Sequence, residues 1–231
     1  MKNIQRAGTA QSKMMDVAKG FGQSNIKHQQ GTTRIIYDTL PLVVGQDIYE
    51  FFRNCNTRQF PFTNLQNGNR LEVGEMLTMQ FGWLSILVIK KGEGDVPIEY
   101  QLIDISGGSL SHEAVAGTEV TAAWTAAENY LPLATKIALG ELSFMVGNTQ
   151  TLKPISLQGF HPSFNKSSKN EHNSVFTFDS ILTIPPMLEF VAPVKVVPMS
   201  AADLTQAVPA DIYLRLHLEG AAAIVAPRQT F

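Results

Sequence analysis

The chain has 231 residues with 18 basic and 20 acidic side chains, and its charged fraction of 16% lies below the roughly 25% of typical soluble domains. Cys55 is the only cysteine, which excludes an internal disulfide and a thiolate metal cage. No run approaches the ~18 apolar residues of a membrane-spanning helix, and the N-terminus lacks the apolar stretch of a secretory signal, so a soluble protein made in the cytosol is expected.

Charge is unevenly placed. Residues 1–35 carry Lys2, Arg6, Lys13, Lys19, Lys27 and Arg34 against the single acid Asp16, while residues 36–231 are net acidic. The first stretch is also rich in Gln, Ser, Gly and Asn, with little to bury. It reads as a basic, conditionally ordered arm, 1–35, joined to a folded body, 36–231. Within the arm Ala10–Phe21 has the spacing of a short helix, and Met14, Met15, Val17 and Phe21 form a patch that could dock on a neighbouring subunit. The six cations would attract phosphate through counterion release, with no aromatic interleaving to read bases.

The body opens with two short β-branched runs, Arg34–Asp38 and Leu42–Val44, on either side of Pro41. In Asp47–Cys55 the residues Ile48, Phe51, Phe52 and Cys55 fall at i, i+3, i+4 and i+7, which predicts a two-turn helix with Cys55 on its apolar face. Phe60–Asn69 has loop and turn chemistry, including Asn67-Gly68. Leu71–Lys90 is strand-like, broken at Gly74, and its apolar run Trp83–Ile89 suits a strand covered on both faces. A strand over Ile98–Ile105 follows.

Thr121–Asn129 has helix propensity that Pro132 interrupts. Ile137, Leu139 and Glu141–Val146 then look extended, and Leu152–Leu157 is a further strand before a polar loop at Gly159–His172. Phe176–Ile184 alternates cleanly, and Leu188–Val197 is a strand region broken at Pro193. Ile212, Leu214, Leu216 and Leu218 alternate with Tyr213, Arg215, His217 and Glu219, the pattern of a half-buried strand with one wet face. Gly220 is expected to end it, with Ala221–Ala226 pairing as a separate short strand. The sum is all-β: an antiparallel jelly roll or β-sandwich of eight to ten strands, with one or two short helices in its connections.

Catalytic signatures are scarce. The histidines His28, His112, His161, His172 and His217 are dispersed along the chain. His217 and Glu219 share a strand face and could touch a metal in a cupin-like enzyme, but a solvated strand face carrying ordinary polar residues accounts for them better. Glu93, Asp95, Glu99 and Asp104 cluster as a turn and its flanking strand normally would. No nucleophile elbow or phosphate-binding loop occurs. No catalytic, cofactor or metal residue is assigned, and no cofactor is implied. Phe160, Phe164 and Trp124 are the aromatics that a receptor- or carbohydrate-binding sandwich would use.

The layout resembles the jelly-roll coat proteins of small tailless bacteriophages. The likeness lies in the basic Gln-rich arm, the segment Phe-Pro-Phe-Thr-Asn-Leu-Gln-Asn-Gly-Asn at 60–69, the closing strand Tyr213–Gly220 and the terminal Pro227-Arg228-Gln229-Thr230-Phe231. The resemblance implies a capsid subunit that self-assembles into an icosahedral virion in the host cytoplasm. Its partners would be copies of itself, other virion proteins and, through the arm, genome nucleic acid bound without sequence preference.

Overall fold

The computed structural model describes residues 29–65, 68–90, 97–101, 130–160, 176–205 and 210–225. The expected helix at Ala10–Phe21 and the aromatics Trp124 and Phe164 lie outside these residues. Nine strands run through the described part: β1 Gln29–Pro41, β2 Ile48–Phe51, β3 Met76–Lys90, β4 Pro97–Gln101, β5 Glu141–Val146, β6 Thr149–Ser156, β7 Phe176–Ile184, β8 Phe190–Lys195 and β9 Ala210–Val225. Two short helices, α1 Leu131–Ala138 and α2 Ala201–Leu204, lie in the connections.

Two antiparallel sheets result. The larger has the order β1-β9-β3-β4, with β7 also on β3, and the smaller has the order β2-β8-β5-β6. Setting β4 aside, the chain pairs with itself in nested fashion: β1 with β9, β2 with β8, β3 with β7, β5 with β6. Successive pairs alternate between the sheets. That is a long hairpin rolled on itself, the topology of a jelly roll. β4 is an addition that covers Ser85–Ile89 of β3, while β7 covers Leu77–Gly82.

The facing surfaces interdigitate in one core. Ile36, Leu77, Leu84, Ile86, Leu214 and Leu216 come from the larger sheet, and Tyr49, Phe51, Phe144, Phe190 and Val194 from the smaller. Period-2 alternation put Leu214 and Leu216 on the inner face as their spacing suggested, and it does the same for Tyr49 and Phe51, where a helix was expected. At about 25 cal/mol per Å² of apolar surface removed from water, such a core is the main favourable contribution to folding.

Several local expectations fail for identifiable reasons. Asp47–Cys55 is not a helix: β2 is followed by a turn and a single 3-10 turn at Cys55–Thr57. Phe52 adopts a left-handed backbone (φ 68°), so Phe51 and Phe52 both enter the core although adjacent in sequence. The buried carboxylate of Asp38 fixes that turn by accepting the Phe52 N–H at 2.6 Å. Helical spacing was imitated by a strand and a kink, and Ile48, its first anchor, is exposed.

Pro132 lies in the first turn of α1, where its missing N–H has no intrahelical partner to lose, while Thr121–Asn129 lies outside the described residues. Ile137 therefore belongs to α1, and Leu139 follows it as its C-terminal cap, not as strand. β8 continues through Pro193. The β5–β8 ladder omits the Pro193 position between Leu142/Val194 and Met145/Val191, and the Ser143 hydroxyl donates to the Pro193 carbonyl instead.

β1 is one strand across residue 35, so the basic arm and the body meet inside a sheet. Leu42–Val44 forms no strand of its own: the Leu42 N–H donates to the Ile212 carbonyl at 2.9 Å, and Val44 bridges to Met199. β9 likewise runs straight through Gly220. Between Met79 and Phe81 the β3 partner register shifts by one residue, and Gly220 faces that bulge. A Cβ on Gly220 would stand 1.8 Å from the Thr78 carbonyl oxygen. Both neighbours are backbone, so the clash has no side chain to relieve it. Gly220→Ala is therefore expected to destabilise the protein by about 3 kcal/mol, measured by urea unfolding; a change under about 0.5 kcal/mol would contradict this packing.

Candidate functional site: the outer face of the larger sheet

The alternation that sends Leu214, Leu216 and Leu218 inward turns Tyr213, Arg215 and His217 to the opposite face of β9. This face is not wet, as expected, but covered: Arg215 and His217 are buried, and so are Thr39 of β1 and Ser85 of β3 beside them. The cover comes partly from the Arg58–Leu65 segment, whose Pro61 carbonyl accepts from Arg215 Nη2 at 2.7 Å. Phe62 packs on Tyr213 with ring centroids 5.1 Å apart.

Arg215 is the hub. Its Nε donates to Thr39 Oγ1 at 2.8 Å, its Nη1 to Glu99 Oε2 at 2.7 Å, and its guanidinium lies 4.8 Å from the centre of the Tyr37 ring. The fork geometry of arginine allows three directed bonds and a ring contact at once. Beside it, the His217 ring stacks on Trp83 at 4.7 Å and lies 5.7 Å from Tyr37. Glu99, on β4, is shared: its Oε1 accepts from Ser85 Oγ and lies 2.7 Å from His217 Nε2. Burial pushes the Glu99 carboxyl up, but hydrogen bonds from His217 and Ser85, with the charges of His217 and Arg215, outweigh it and hold the group at about 2.

Ser85, His217 and Glu99 invite comparison with a catalytic triad, and the geometry rejects it. In a triad the imidazole takes the serine proton on one nitrogen while the carboxylate holds the other. Here Nε2 faces both Ser85 Oγ, at 3.3 Å, and Glu99. The serine hydroxyl already donates to the carboxylate, and Ser85 is fully buried. The cluster locks four strands and a loop together and offers no nucleophile to a substrate. As a metal site it is too sparse, since no group of three His, Cys, Asp or Glu ligands occurs among the described residues.

A second buried pair anchors the other end of the covering segment. Arg58 binds Asp38 through two bonds, Nε to Oδ1 at 2.9 Å and Nη2 to Oδ2 at 2.7 Å. Burial raises the Asp38 carboxyl above its ordinary value, against the opposing pull of Arg58 and of the Phe52 N–H. Cys55, beside this pair, is buried and its thiol is pushed up to about 12 by burial and then by the Asp38 charge, which leaves it unreactive.

Of the residues singled out from the sequence, Arg34 lies on β1 in an ion pair with Glu75 at 2.6 Å. Lys2, Arg6, Lys13, Lys19 and Lys27, with Met14, Met15, Val17 and Phe21, lie outside the described residues. So do Glu93, Asp95, Asp104 and the other four histidines. The pairing considered for His217 with Glu219 is replaced by His217 with Glu99, from a strand more than a hundred residues away in sequence. Sequence reasoning missed the Arg215 hub because a polar alternate on a strand signals water unless something covers it. Among the described residues no helix is long and apolar enough to cross a membrane. No protein family matches the chain, and no curated protein or solved structure is significantly similar to it.

Glu99 titrates far below its ordinary 4.5, so its contribution to stability is complete above about pH 4.5 and lost as the pH falls towards about 2. Glu99→Gln is expected to lower stability at pH 7 by about 1–3 kcal/mol and to flatten this part of the acid limb in pH-dependent thermal melts. An acid limb identical to that of the wild type would show that the carboxylate carries no such load.

Proposed function

We propose that the protein is the subunit of a self-assembling shell, best read as the major capsid protein of a small tailless bacteriophage, and that it works without catalysis. The observation that carries this is the nested pairing of β1 with β9, β2 with β8, β3 with β7 and β5 with β6. Jelly rolls also serve lectins and cupins, so the step from fold to function is one of analogy. Three features of this chain favour the shell among those uses. The serine–histidine–carboxylate cluster among the described residues is closed and wrongly arranged for acyl transfer. The cysteine is buried with a raised pKa. The surface charge is low, and uncharged polar groups leave water more cheaply than ions when subunits pack.

In this reading the basic residues before Gln29 face genome or a neighbouring subunit, with Lys2, Arg6, Lys13, Lys19 and Lys27 supplying the charge. Arg34 would contribute little, because Glu75 already neutralises it. Sedimentation velocity and negative-stain imaging of purified protein test the proposal. Concentration-dependent growth to rings or closed particles is expected, and a strictly monomeric species at high concentration would refute it.

A further inference from the structure

The outer edge of β1 is half closed and half open. Asn64 Oδ1 accepts the Tyr37 N–H at 2.9 Å, Asn64 Nδ2 donates to the Ile35 carbonyl at 2.7 Å, and Thr63 Oγ1 donates to the Tyr37 carbonyl at 3.0 Å. The backbone groups of Ile35 and Tyr37 therefore point away from β9. Because alternate residues of an antiparallel pair turn the same way, and the β1–β9 register is unbroken, Gly31 and Thr33 point away from β9 too.

Over Gln29–Thr33 β1 pairs only with β9 among the described strands, and Gly31, Thr32 and Thr33 are exposed. Sheet edges are normally guarded by charge, proline, a bulge or a cover. The sequence Gln-Gln-Gly-Thr-Thr has no charge and no proline, its register on β9 has no bulge, and no other described strand covers it.

We propose that this open edge is a two-fold contact, in which Gln29–Thr33 of one copy pairs antiparallel with Gln29–Thr33 of a second, centred on Gly31. The occupant follows from the page in three ways. The five residues are uncharged and self-complementary, so no like charges meet across the axis. Arg34 lies just beyond them, held to Glu75 of its own subunit. The Asn64 clamp sets the register: centring on Thr33 would bring Gln29 of the second copy opposite Tyr37, where Asn64 already bonds, whereas centring on Gly31 keeps Gln29–Thr33 clear of it. A closed two-fold contact of this kind is isologous and joins the two larger sheets into one. A five-residue strand pair is smaller than the roughly 1,000 Å² of a stable interface, so it holds through repetition in an assembly. In that respect it rests on the shell reading above.

Two substitutions test it. Gly31→Pro removes only an outward N–H, which the β1–β9 ladder does not use, so the isolated subunit should melt as the wild type does. Assembly should begin only at a concentration about tenfold or more higher. Gly31→Cys places two thiols across the axis, with Cα atoms within the roughly 4.4–6.8 Å that a disulfide tolerates, and should give a covalent dimer on mild oxidation. Wild-type assembly with unimpaired Gly31→Pro assembly and no Gly31→Cys dimer overturns the strand contact and leaves the shell reading standing. A monomeric wild type whose Gly31→Cys variant still cross-links keeps the contact and overturns the shell. A monomeric wild type with no cross-link overturns both.

Discussion

A β-sheet that does not close on itself ends in a row of unsatisfied backbone groups, and much of this protein is organised around where those groups go. The rolled hairpin leaves β1, β2, β6 and the β4/β7 side as edges. On β1 the side chains of Thr63 and Asn64 stand in for a missing strand between Ile35 and Tyr37. They can do so only because the Arg58–Leu65 segment is held flat against the sheet. Asp38 with Arg58 holds one end of it, and Arg215 with the Pro61 carbonyl holds the middle. Two arginines thus decide which part of the edge is sealed.

The same arginine hub explains why a jelly roll carries so polar a buried layer outside its apolar core. Arg215, His217, Ser85 and Thr39 are buried beneath the partly exposed Glu99 carboxylate, and charge taken out of water costs free energy unless each group is matched. Here the matching is thorough: among the described residues no buried side-chain nitrogen or oxygen lacks a hydrogen-bond partner. The arrangement favours specificity over raw stability, because an apolar layer could slip where a network with directed bonds cannot. β4, a five-residue strand at the edge, is pinned to β9 chiefly by the side chain of Glu99.

The larger plan was legible in the sequence because alternation is a backbone-level signal. Phe178, Leu182 and Ile184 on β7, and Ile212 to Leu218 on β9, face the core as their spacing predicts. What could not be read depends on contacts distant in sequence. The left-handed Phe52 makes sense only with Asp38 waiting for its N–H, and Pro193 is tolerated in a central strand only because β5 does not need its N–H there. Gly220 looks like a stop but serves a bulge on β3. The Arg215 site was hidden for the same reason: Arg215 and Glu99 lie 116 residues apart, and nothing local to either announces the other.

The two-fold contact proposed for the open half of the β1 edge would join two subunits through their larger sheets, and the basic segment ahead of an acidic body would give each subunit a polarity. Both belong to the proposed shell. Residue-resolved amide hydrogen exchange on dissociated and assembled protein tests this most directly. The account predicts that the Gly31 and Thr33 amides exchange fast in the subunit and slow down on assembly, while the Tyr37 amide is slow in both. Equal, unprotected exchange of Gly31 and Thr33 in both states would contradict it.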